Sequence, residues 1–237
     1  MDKVDKIKRV FRKLDLELTE RQAIQFFHYY ELLIEKNKVM NLTAIVDFDE
    51  VVLKHFVDSL MVHQILVPEG RLIDVGTGAG FPGIPLKIVY PDLEIVLLDS
   101  LNKRVQFLNE VIQKLELKKI QTIHERAENL AKRNGFREQF DLCVSRAVAN
   151  LSTLSEYCIP FVRQEGCFIA YKSGKIQEEL ESGRKVINIL GGVIEEQKEV
   201  SLPDTDIFRC ILKIRKIKET PKKYPRKAGV PAKEPLC

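Results

Sequence analysis

The spacing of the hydrophobic residues changes at about residue 66. Up to that point, apolar residues recur at helical spacing in three stretches, which begin near Val4, Thr19 and Asp47. From residue 71 onward, short apolar runs alternate with helical patterns, which is typical of a sheet covered by helices on both faces. These patterns predict strands at 71–75, 94–98, 119–123, 140–145, 166–171, 193–200 and 207–217, and helices at 84–90, 102–115, 151–162 and 176–190.

The last two predicted strands are separated only by a short polar loop around Pro203-Asp204, so we expect them to pair as an antiparallel hairpin. The sequence therefore predicts an α/β fold with a doubly wound seven-stranded sheet in residues 67–218. Residues 1–66 form a predicted helical extension that caps the sheet. Residues 219–237 form a basic, proline-rich tail.

The segment Asp74-Val-Gly-Thr-Gly-Ala-Gly-Phe-Pro-Gly83 joins the first predicted strand to the next helix. Gly76, Gly78 and Gly80 lack a Cβ atom, so this turn tolerates positive φ and lets a ligand approach the backbone. Asp99 ends the next strand, where an acid can accept hydrogen bonds from the hydroxyls of a ribose. The loop and the acid together indicate a ligand that contains a nucleoside.

Two classes of nucleoside ligand compete for this loop. Gly78-Ala-Gly-Phe-Pro-Gly83 matches the dinucleotide pattern G-x-G-x-x-G. The first glycine after the strand is Gly76, however, and counting from it places Phe81 where the third glycine should stand. The spacing Asp74-x-Gly76 and the terminal hairpin favour the class I methyltransferase type of fold, which uses S-adenosylmethionine. An NAD-linked oxidoreductase is the main enzymatic alternative.

The amino-acid composition and the lengths of the apolar runs restrict the class of protein to which this chain can belong. The 237 residues are 45% hydrophobic, enough for one large core. No apolar run approaches the roughly 18–20 residues that cross a bilayer, and the first residues lack a secretory profile, so we expect a cytoplasmic protein that does not bind membranes. Five cysteines without a C-x-x-C pair and four histidines without H-E-x-x-H spacing predict neither a disulfide framework nor a metal site.

Charge is concentrated at the end of the chain. The net charge is only +4, but Lys213 to Cys237 contains nine basic residues and two acidic ones. Four prolines in this stretch argue against a regular helix and favour an arm that lies along a polyanion. A solvated tail is the alternative interpretation.

Polar residues also stand where predicted strands end. Arg146 and Lys172 follow two neighbouring strands, at the edge where open α/β sheets bind ligands. The Arg146 guanidinium could hold a carboxylate or a phosphate through two hydrogen bonds, although a plain surface role fits as well. His55, Asp58 and Ser59 lie within five residues of one helical stretch, which favours a packing or polar-surface role over a hydrolytic relay.

The segment Asp141-Leu-Cys-Val-Ser-Arg146 contains no proline, unlike the corresponding segment of enzymes that methylate exocyclic amines. Cys143 lies inside the strand pattern, where it packs rather than attacks a pyrimidine ring. An acceptor that needs no activation is then expected. N7 of guanine carries an available lone pair, so alignment with a sulfonium donor is enough and no catalytic residue is predicted.

Seven segments together resemble a known family. They are Asn41-Leu-Thr-Ala44, His55-Phe-Val-Asp-Ser59, the glycine loop continued to Leu86, Asp99-Ser-Leu-Asn-Lys-Arg104, Phe140-Asp141, Ser145-Arg-Ala147 and Thr220–Pro235. Their order and their extent, from about residue 41 to residue 235, resemble the ribosomal RNA small-subunit methyltransferase G family, also called glucose-inhibited division protein B. The glycine loop alone is shared with many methyltransferases, whereas its combination with this tail is specific.

The resemblance implies a bacterial enzyme, expected to be a monomer, that uses S-adenosylmethionine to methylate N7 of one guanine in 16S rRNA, free or in the small ribosomal subunit. Family positions carried over to the cofactor site are Gly76, Phe81, Ala127, Glu128 and Arg146, in addition to the loop residue Gly78 and Asp99. Phe81 would offer an apolar surface, Ala127 its backbone and Glu128 a polar contact toward adenine. A non-enzymatic rRNA-binding assembly factor is the remaining alternative.

For the rRNA itself, basic residues and one aromatic residue are the candidates. The predicted contacts are Lys172, Lys222, Lys223, Tyr224, Arg226 and Lys227. Cations neutralise phosphates, and the Tyr224 ring could stack on a base. If the tail only completes the fold, the basic surface near Lys172, Lys175, Arg184 and Lys185 is the next candidate.

Overall fold

The computed structural model describes residues 2–66, 68–146, 149–173 and 176–237. These residues form a seven-stranded sheet with the order β3-β2-β1-β4-β5-β7-β6. The strands are β1 Arg71–Val75, β2 Glu94–Asp99, β3 Ile120–His124, β4 Phe140–Ser145, β5 Val162–Ser173, β6 Gly192–Ser201 and β7 Phe208–Lys216. β1 to β5 are parallel, whereas β7 is antiparallel to both β5 and β6. The predicted seven-stranded α/β fold and its terminal hairpin are confirmed.

Helices cover both faces of the sheet. They are α1 Lys3–Arg12, α2 Glu20–Met40, α3 Phe48–Val51, α4 Asp58–Leu60, α5 Gly83–Val89, α6 Asn102–Lys114, α7 Ala127–Leu130, α8 Leu151–Cys158, α9 Gln177–Ile189 and α10 Val230–Lys233. Alternate residues of the central strands enter different cores, because successive side chains of a strand point to opposite faces. Leu72 packs with the N-terminal helices, α5 and α6, whereas Ile73 packs with α8 and α9.

The N-terminal helices share their hydrophobic core with one face of the sheet. α2 begins with the predicted capping box, in which the side chains of Thr19 and Gln22 each bond to the other residue's backbone N–H. Its buried face includes Phe26 and Tyr29, which join the same cluster as Leu72. Because the N-terminal helices and the sheet share one core, the packing does not mark a boundary at residue 66, and this division of the chain stays a prediction from the sequence.

Three elements differ from the sequence prediction. The stretch after Asp47 is not one α-helix, because a π-helical segment, Val52–Val57, separates α3 from α4. The predicted helix 151–162 is α-helical to Cys158 and continues as a 3-10 helix, Ile159–Phe161, and β5 begins at Val162, ahead of the predicted residue 166. The start of β5 pairs with Phe140 of β4. Its residues Arg163 to Glu165 are polar and exposed, so this part of the strand does not form an apolar run and was not predicted.

The C-terminal segment, residues 219–237, is folded against the protein. It contains α10, a short helix with Pro231 in its first turn, so the expectation that four prolines exclude a helix is wrong for this turn. Proline is tolerated there because the first N–H groups of a helix have no partner within the helix. Across the described residues, no helix has both the length and the apolar character needed to cross a membrane.

Candidate functional site

The glycine loop after β1 is organised by Asp74. This carboxyl is fully buried, and its Oδ2 accepts hydrogen bonds from Thr77 Oγ1 at 2.6 Å and from the Gly83 N–H at 2.8 Å. Burial raises the pKa of Asp74 to about 7, even though these hydrogen bonds and Arg146 act to lower it. Asp74 therefore joins both ends of the loop and shapes the turn.

The loop glycines adopt the left-handed backbone that the sequence indicated. φ is +72° at Gly76, +62° at Gly78 and +105° at Gly80. A Cβ atom on Gly78 would meet nothing within 4 Å, whereas one on Gly80 would lie 2.6 Å from the Tyr29 hydroxyl. Gly80 is thus packed against α2, while open space remains in front of Gly78, where a ligand could approach the backbone.

A cavity of about 190 Å³ opens beside this loop, at the carboxyl ends of β1, β2 and β3. Four of the predicted cofactor residues line it: Gly76, Asp99, Ala127 and Glu128. The cavity lies where the ligands of open α/β sheets bind. A larger cavity, of about 320 Å³, is lined by Arg71, Glu94 and other residues at the amino ends of the strands, and it contains none of the predicted residues.

Asp99 connects β2 to the glycine loop. Its Oδ2 accepts the Gly78 N–H at 2.9 Å and lies 3.4 Å from Nη1 of Arg104, and its Oδ1 accepts the Leu101 N–H at 2.9 Å. A carboxylate offers about four acceptor positions, so capacity remains for a hydroxyl of a ligand. The residues present therefore fit a ribose-containing group, as the sequence predicted.

Glu128 lies across the cavity at the start of α7. It is 4% exposed, and its Oε1 accepts the N–H of Gly229 in the C-terminal segment at 2.7 Å. Among the described residues, its Oε2 forms no hydrogen bond with the protein. A carboxylate oxygen in a cavity wall can accept a hydrogen bond from an amino group of a ligand.

Phe81 and Arg146 form a second group, which faces the N-terminal helices instead of this cavity. The Phe81 ring stacks on His55, with centroids 4.6 Å apart, and the Arg146 guanidinium lies 5.0 Å from the centroid of Phe81. Arg146 Nη1 donates to Oδ2 of Asp58 at 2.9 Å. Burial, reinforced by Arg146, lowers the pKa of His55 to about 4, so its imidazole is neutral at pH 7.

Asp58 joins Phe81 and Arg146 in this group, a contact that the sequence reasoning did not predict. It is 3% exposed and pairs with Arg146 and also with Nε of Arg209, at 2.9 Å from its Oδ1. Ser59 is also buried, so the expected polar-surface role is wrong for both residues, while the packing role is right. The sequence contains little sign of these ion pairs, because Arg146 and Arg209 are remote from Asp58 in the chain. The closeness of Asp58 to His55 was the only signal.

The predicted RNA-binding residues are not equally free. Lys172 Nζ pairs with Glu179 Oε2 at 2.8 Å and its side chain is 9% exposed. Tyr224 is 7% exposed, and its ring is further covered by Lys223 Nζ at 5.2 Å from the centroid, which conflicts with the expectation of base stacking. Arg226 is bound to the buried carboxylate of Glu156.

Three tail lysines, Lys222, Lys223 and Lys227, remain exposed. Of the alternative basic surface, Lys175 lies outside the described residues. The exposed positive charge of the tail therefore resides on these three lysines and on Lys233, which is also exposed, while Tyr224 and Arg226 hold the segment to the fold. The sequence could not distinguish the two groups, because Glu156 lies 70 residues before Arg226.

Comparison with known proteins identifies relatives of this chain by sequence identity. It is 55% identical over 227 residues to ribosomal RNA small subunit methyltransferase G of Lachnoclostridium phytofermentans, covering 95% of this chain and 94% of the relative. The protein of the same name from Acetivibrio thermocellus is 53% identical, with 93% and 91% covered.

Solved structures agree on the fold. A putative S-adenosyl-L-methionine-dependent methyltransferase from Methanococcus maripaludis superposes with a TM-score of 0.54 at 17% identity, covering 80% of this chain and 93% of that one. The profile of the family described as rRNA small subunit methyltransferase G matches residues 22–227. With a family match over most of its length and relatives above 50% identity, the chain belongs to the rRNA small subunit methyltransferase G family.

Proposed function

We propose that this protein is an S-adenosylmethionine-dependent methyltransferase that methylates N7 of one guanine in bacterial 16S rRNA. The observation that carries the proposal is the cavity at the carboxyl edge of the sheet, which brings Gly76, Asp99, Ala127 and Glu128 together. Its relatives are named as methyltransferases of small-subunit rRNA. We further propose that it works in the cytoplasm as a monomer.

Different residues of the site would bind different parts of the cofactor. Asp99 would accept a ribose hydroxyl, and Ala127 and Glu128 would contact the adenine. Arg146 would hold the methionine carboxylate. Its Nη1 already contacts Asp58 and the carbonyls of Lys54 and His55, and its Nη2 lies 3.4 Å from Nδ1 of His55, so within the described part of the chain Nε and the second N–H of Nη2 are the donors left for a ligand. When bound, the cofactor supplies the methyl group from its sulfonium.

Transfer to N7 requires alignment rather than proton removal. The N7 lone pair of guanine is available at neutral pH, and the neutral imidazole of His55 fits a site that moves no proton. N7 faces the deep, narrow major groove of A-form RNA, which side chains cannot read. The target guanine therefore belongs to a loop or an irregular segment.

Nucleoside mass spectrometry of 16S rRNA from a strain that lacks the gene tests the reaction. We expect one 7-methylguanosine to disappear and to return when the wild-type gene is restored. An unchanged profile would overturn the proposed methylation. Incubating the purified protein and radiolabelled cofactor with naked 16S rRNA, or with small subunits from the deletion strain, then identifies the substrate form.

Calorimetry tests the cofactor independently of the reaction. S-adenosylhomocysteine should bind the purified chain, and NAD should not. Binding of NAD alone would instead support an oxidoreductase. Binding of S-adenosylhomocysteine without methyl transfer to either rRNA substrate would favour the assembly-factor alternative.

A further inference from the structure

The C-terminal segment is anchored to α8 through one buried carboxylate. Glu156 is 0% exposed, and its Oε1 accepts the backbone N–H of Arg226 at 2.8 Å and Nε at 3.0 Å. Its Oε2 accepts Nη2 of Arg226 at 2.7 Å. Both oxygens of the buried acid are thus bound by a single residue of the segment.

This anchor fixes the segment firmly. An arginine that binds a carboxylate with two nitrogens forms one of the strongest side-chain pairs, and a buried carboxylate that loses its partner is strongly destabilising. Further contacts hold the same segment: Thr153 Oγ1 of α8 donates to the Pro231 carbonyl at 3.0 Å, and Arg137 Nη1 donates to the Tyr224 carbonyl at 2.9 Å. Residues 219–237 are therefore a fixed part of the fold.

The anchored segment reaches the cavity at Gly229. Three residues beyond Arg226, the Gly229 backbone has φ +82°, and its N–H donates to Oε1 of Glu128. Glu128 lines the cavity together with Tyr157, the residue that follows the anchor Glu156 in α8. Residues 226–229 thus contact the cavity wall at two points. Gly229 binds Glu128, and Arg226 binds Glu156 of α8, the helix that contributes Tyr157 to the wall.

We propose that the C-terminal segment completes the cofactor site, with Gly229 as a positioning residue for Glu128. The Gly229 N–H occupies Oε1 and fixes the carboxylate plane, so that Oε2 is presented to the cavity as an acceptor for the 6-amino group of an adenine. The Arg226–Glu156 pair holds Gly229 at this point. The inference rests on the proposed use of an adenosyl cofactor.

A purely structural role would have a different signature. If the segment only covers hydrophobic surface, its loss lowers stability and weakens every nucleoside ligand by the same factor. If it orients Glu128, its loss acts on recognition of the 6-amino group. S-inosylhomocysteine tests this, because a keto oxygen, which cannot donate a hydrogen bond, replaces that amino group.

The experiment measures binding of S-adenosylhomocysteine and S-inosylhomocysteine to the full-length chain by calorimetry. Two variants disturb the proposed support: Arg226→Ala breaks the anchor, and Gly229→Pro removes the N–H that holds Oε1 and also forces the φ of +82° at this position to about −65°. A thermal melt of each variant measures the accompanying loss of stability, while the ratio of the two ligand affinities reports the orientation of Glu128. Glu128→Ala shows the selectivity left without the carboxylate. Lys233→Ala is the matched control, since this exposed residue of the same segment has no side-chain contact with Glu128 or Glu156.

We expect the wild type and Lys233→Ala to prefer the adenosyl ligand by about ten- to a hundredfold, the range for one hydrogen bond to a charged group. Arg226→Ala and Gly229→Pro should lose most of this preference and approach Glu128→Ala. A preference retained in full by Gly229→Pro, with both ligands weakened equally or not at all, overturns the inference alone. A wild-type chain that binds neither ligand overturns the proposed function, and the inference with it.

Discussion

Gly78 combines a left-handed backbone with open space in front of it. We expect Gly78→Val to abolish cofactor binding, because a branched side chain would fill the space that the ligand needs and would penalise the φ of +62°. The fold should survive at a cost of roughly 1–2 kcal/mol, the usual penalty of the left-handed conformation. Calorimetry with S-adenosylhomocysteine and a thermal melt measure the two effects separately.

Gly135→Val is the control for this change. Gly135 also has positive φ, +86°, and a Cβ there would also meet nothing within 4 Å, but the residue lies in the turn after α7, whereas the Gly78 N–H donates to Asp99 in the cavity wall. It should lose a similar amount of stability and keep wild-type affinity for the cofactor. Wild-type affinity in Gly78→Val would show that the loop does not contact the ligand.

The buried carboxyl of Asp74 gives stability a pH dependence of unusual sign. Because burial raises its pKa from 3.8 to about 7, the folded chain holds a proton that the unfolded chain has lost between these values. This contribution to stability is fully present below about pH 4 and is lost as the pH rises through 7. Asp74→Asn, which cannot titrate, should remove it.

Urea unfolding at several pH values between 4 and 7 measures this effect. The free energy of unfolding of the wild type, relative to Asp74→Asn, should fall by up to about 1.4 kcal/mol per pH unit. The comparison with the variant cancels the other titrating groups. A difference that stays constant across this range would contradict the raised pKa.

His55 acts in the opposite direction over nearly the same range. Its pKa is lowered from 6.5 to about 4, mainly by burial, so the unfolded chain binds the proton first. Its contribution to stability is present above about pH 6.5 and is lost as the pH falls through 4. Relative to His55→Gln, the wild type should therefore lose stability on acidification, by at most about 1.4 kcal/mol per pH unit, in the same unfolding experiment.

Residues of the site differ in how far the sequence revealed them. The positions of Gly76 and Asp99 in the cavity wall could be predicted because they follow from local spacing after a strand. Asp58 and Glu156 could not, because each is defined by arginines far along the chain. A buried carboxylate leaves no local pattern, since only its long-range partners distinguish it from a solvated one.

At the scale of elements, α2 and the glycine loop are joined by one buried hydrogen bond. Tyr29 Oη donates to the Ala79 carbonyl at 2.5 Å, and the phenol is fully buried. Tyr29→Phe leaves this carbonyl without its partner, at a cost of about 1–3 kcal/mol in stability. We also expect weaker cofactor binding, because Ala79 lies between the loop residues Gly78 and Gly80.

Tyr30→Phe is the matched control for Tyr29→Phe. The neighbouring Tyr30 Oη also donates to a carbonyl, that of Val46, but over 3.3 Å and in an exposed position. Its loss should leave both stability and affinity close to wild type. Chemical unfolding and calorimetry compare the two variants, and equal effects would argue against a specific link between α2 and the loop.

Elements with a strong hydrophobic period were predicted well, and irregular ones were not. β1 and β4 begin and end where their apolar runs do. The π-helical segment Val52–Val57 has i→i+5 hydrogen bonds, and six residues are too few for hydrophobic spacing to distinguish it from an α-helix. The early start of β5 depends on pairing with β4, which is a tertiary contact.

At the scale of the whole molecule, the tail combines a buried side with an exposed one. Its basic charge was predicted to contact rRNA, but Arg226 is used to anchor the segment, and Tyr224 is buried. The anchored segment passes the cofactor cavity at Gly229, two residues after the exposed Lys227. The exposed Lys227 is thus held two residues from the backbone N–H that contacts Glu128 in the cavity wall.

Changing Lys222, Lys223 and Lys227 together to alanine should weaken binding of 16S rRNA and flatten its salt dependence. Each lost phosphate contact lowers the magnitude of the slope of log affinity against log salt by about 0.7–0.9, so three contacts lower it by roughly two to three. Cofactor affinity should stay at the wild-type value, because these side chains contact neither Glu128 nor Glu156. Filter binding at several salt concentrations and calorimetry measure the two quantities.

The control for this variant changes Lys114, Lys118 and Lys119 to alanine. These three lysines are also exposed, but they lie just before β3, at the edge of the sheet opposite to the cofactor cavity, so removing the same charge there should alter the slope much less. Equal losses of slope in both variants would mean that the tail acts only through net charge. An unchanged slope in the tail variant would place the rRNA on another surface, with the region around Arg184 and Lys185 the next to be tested.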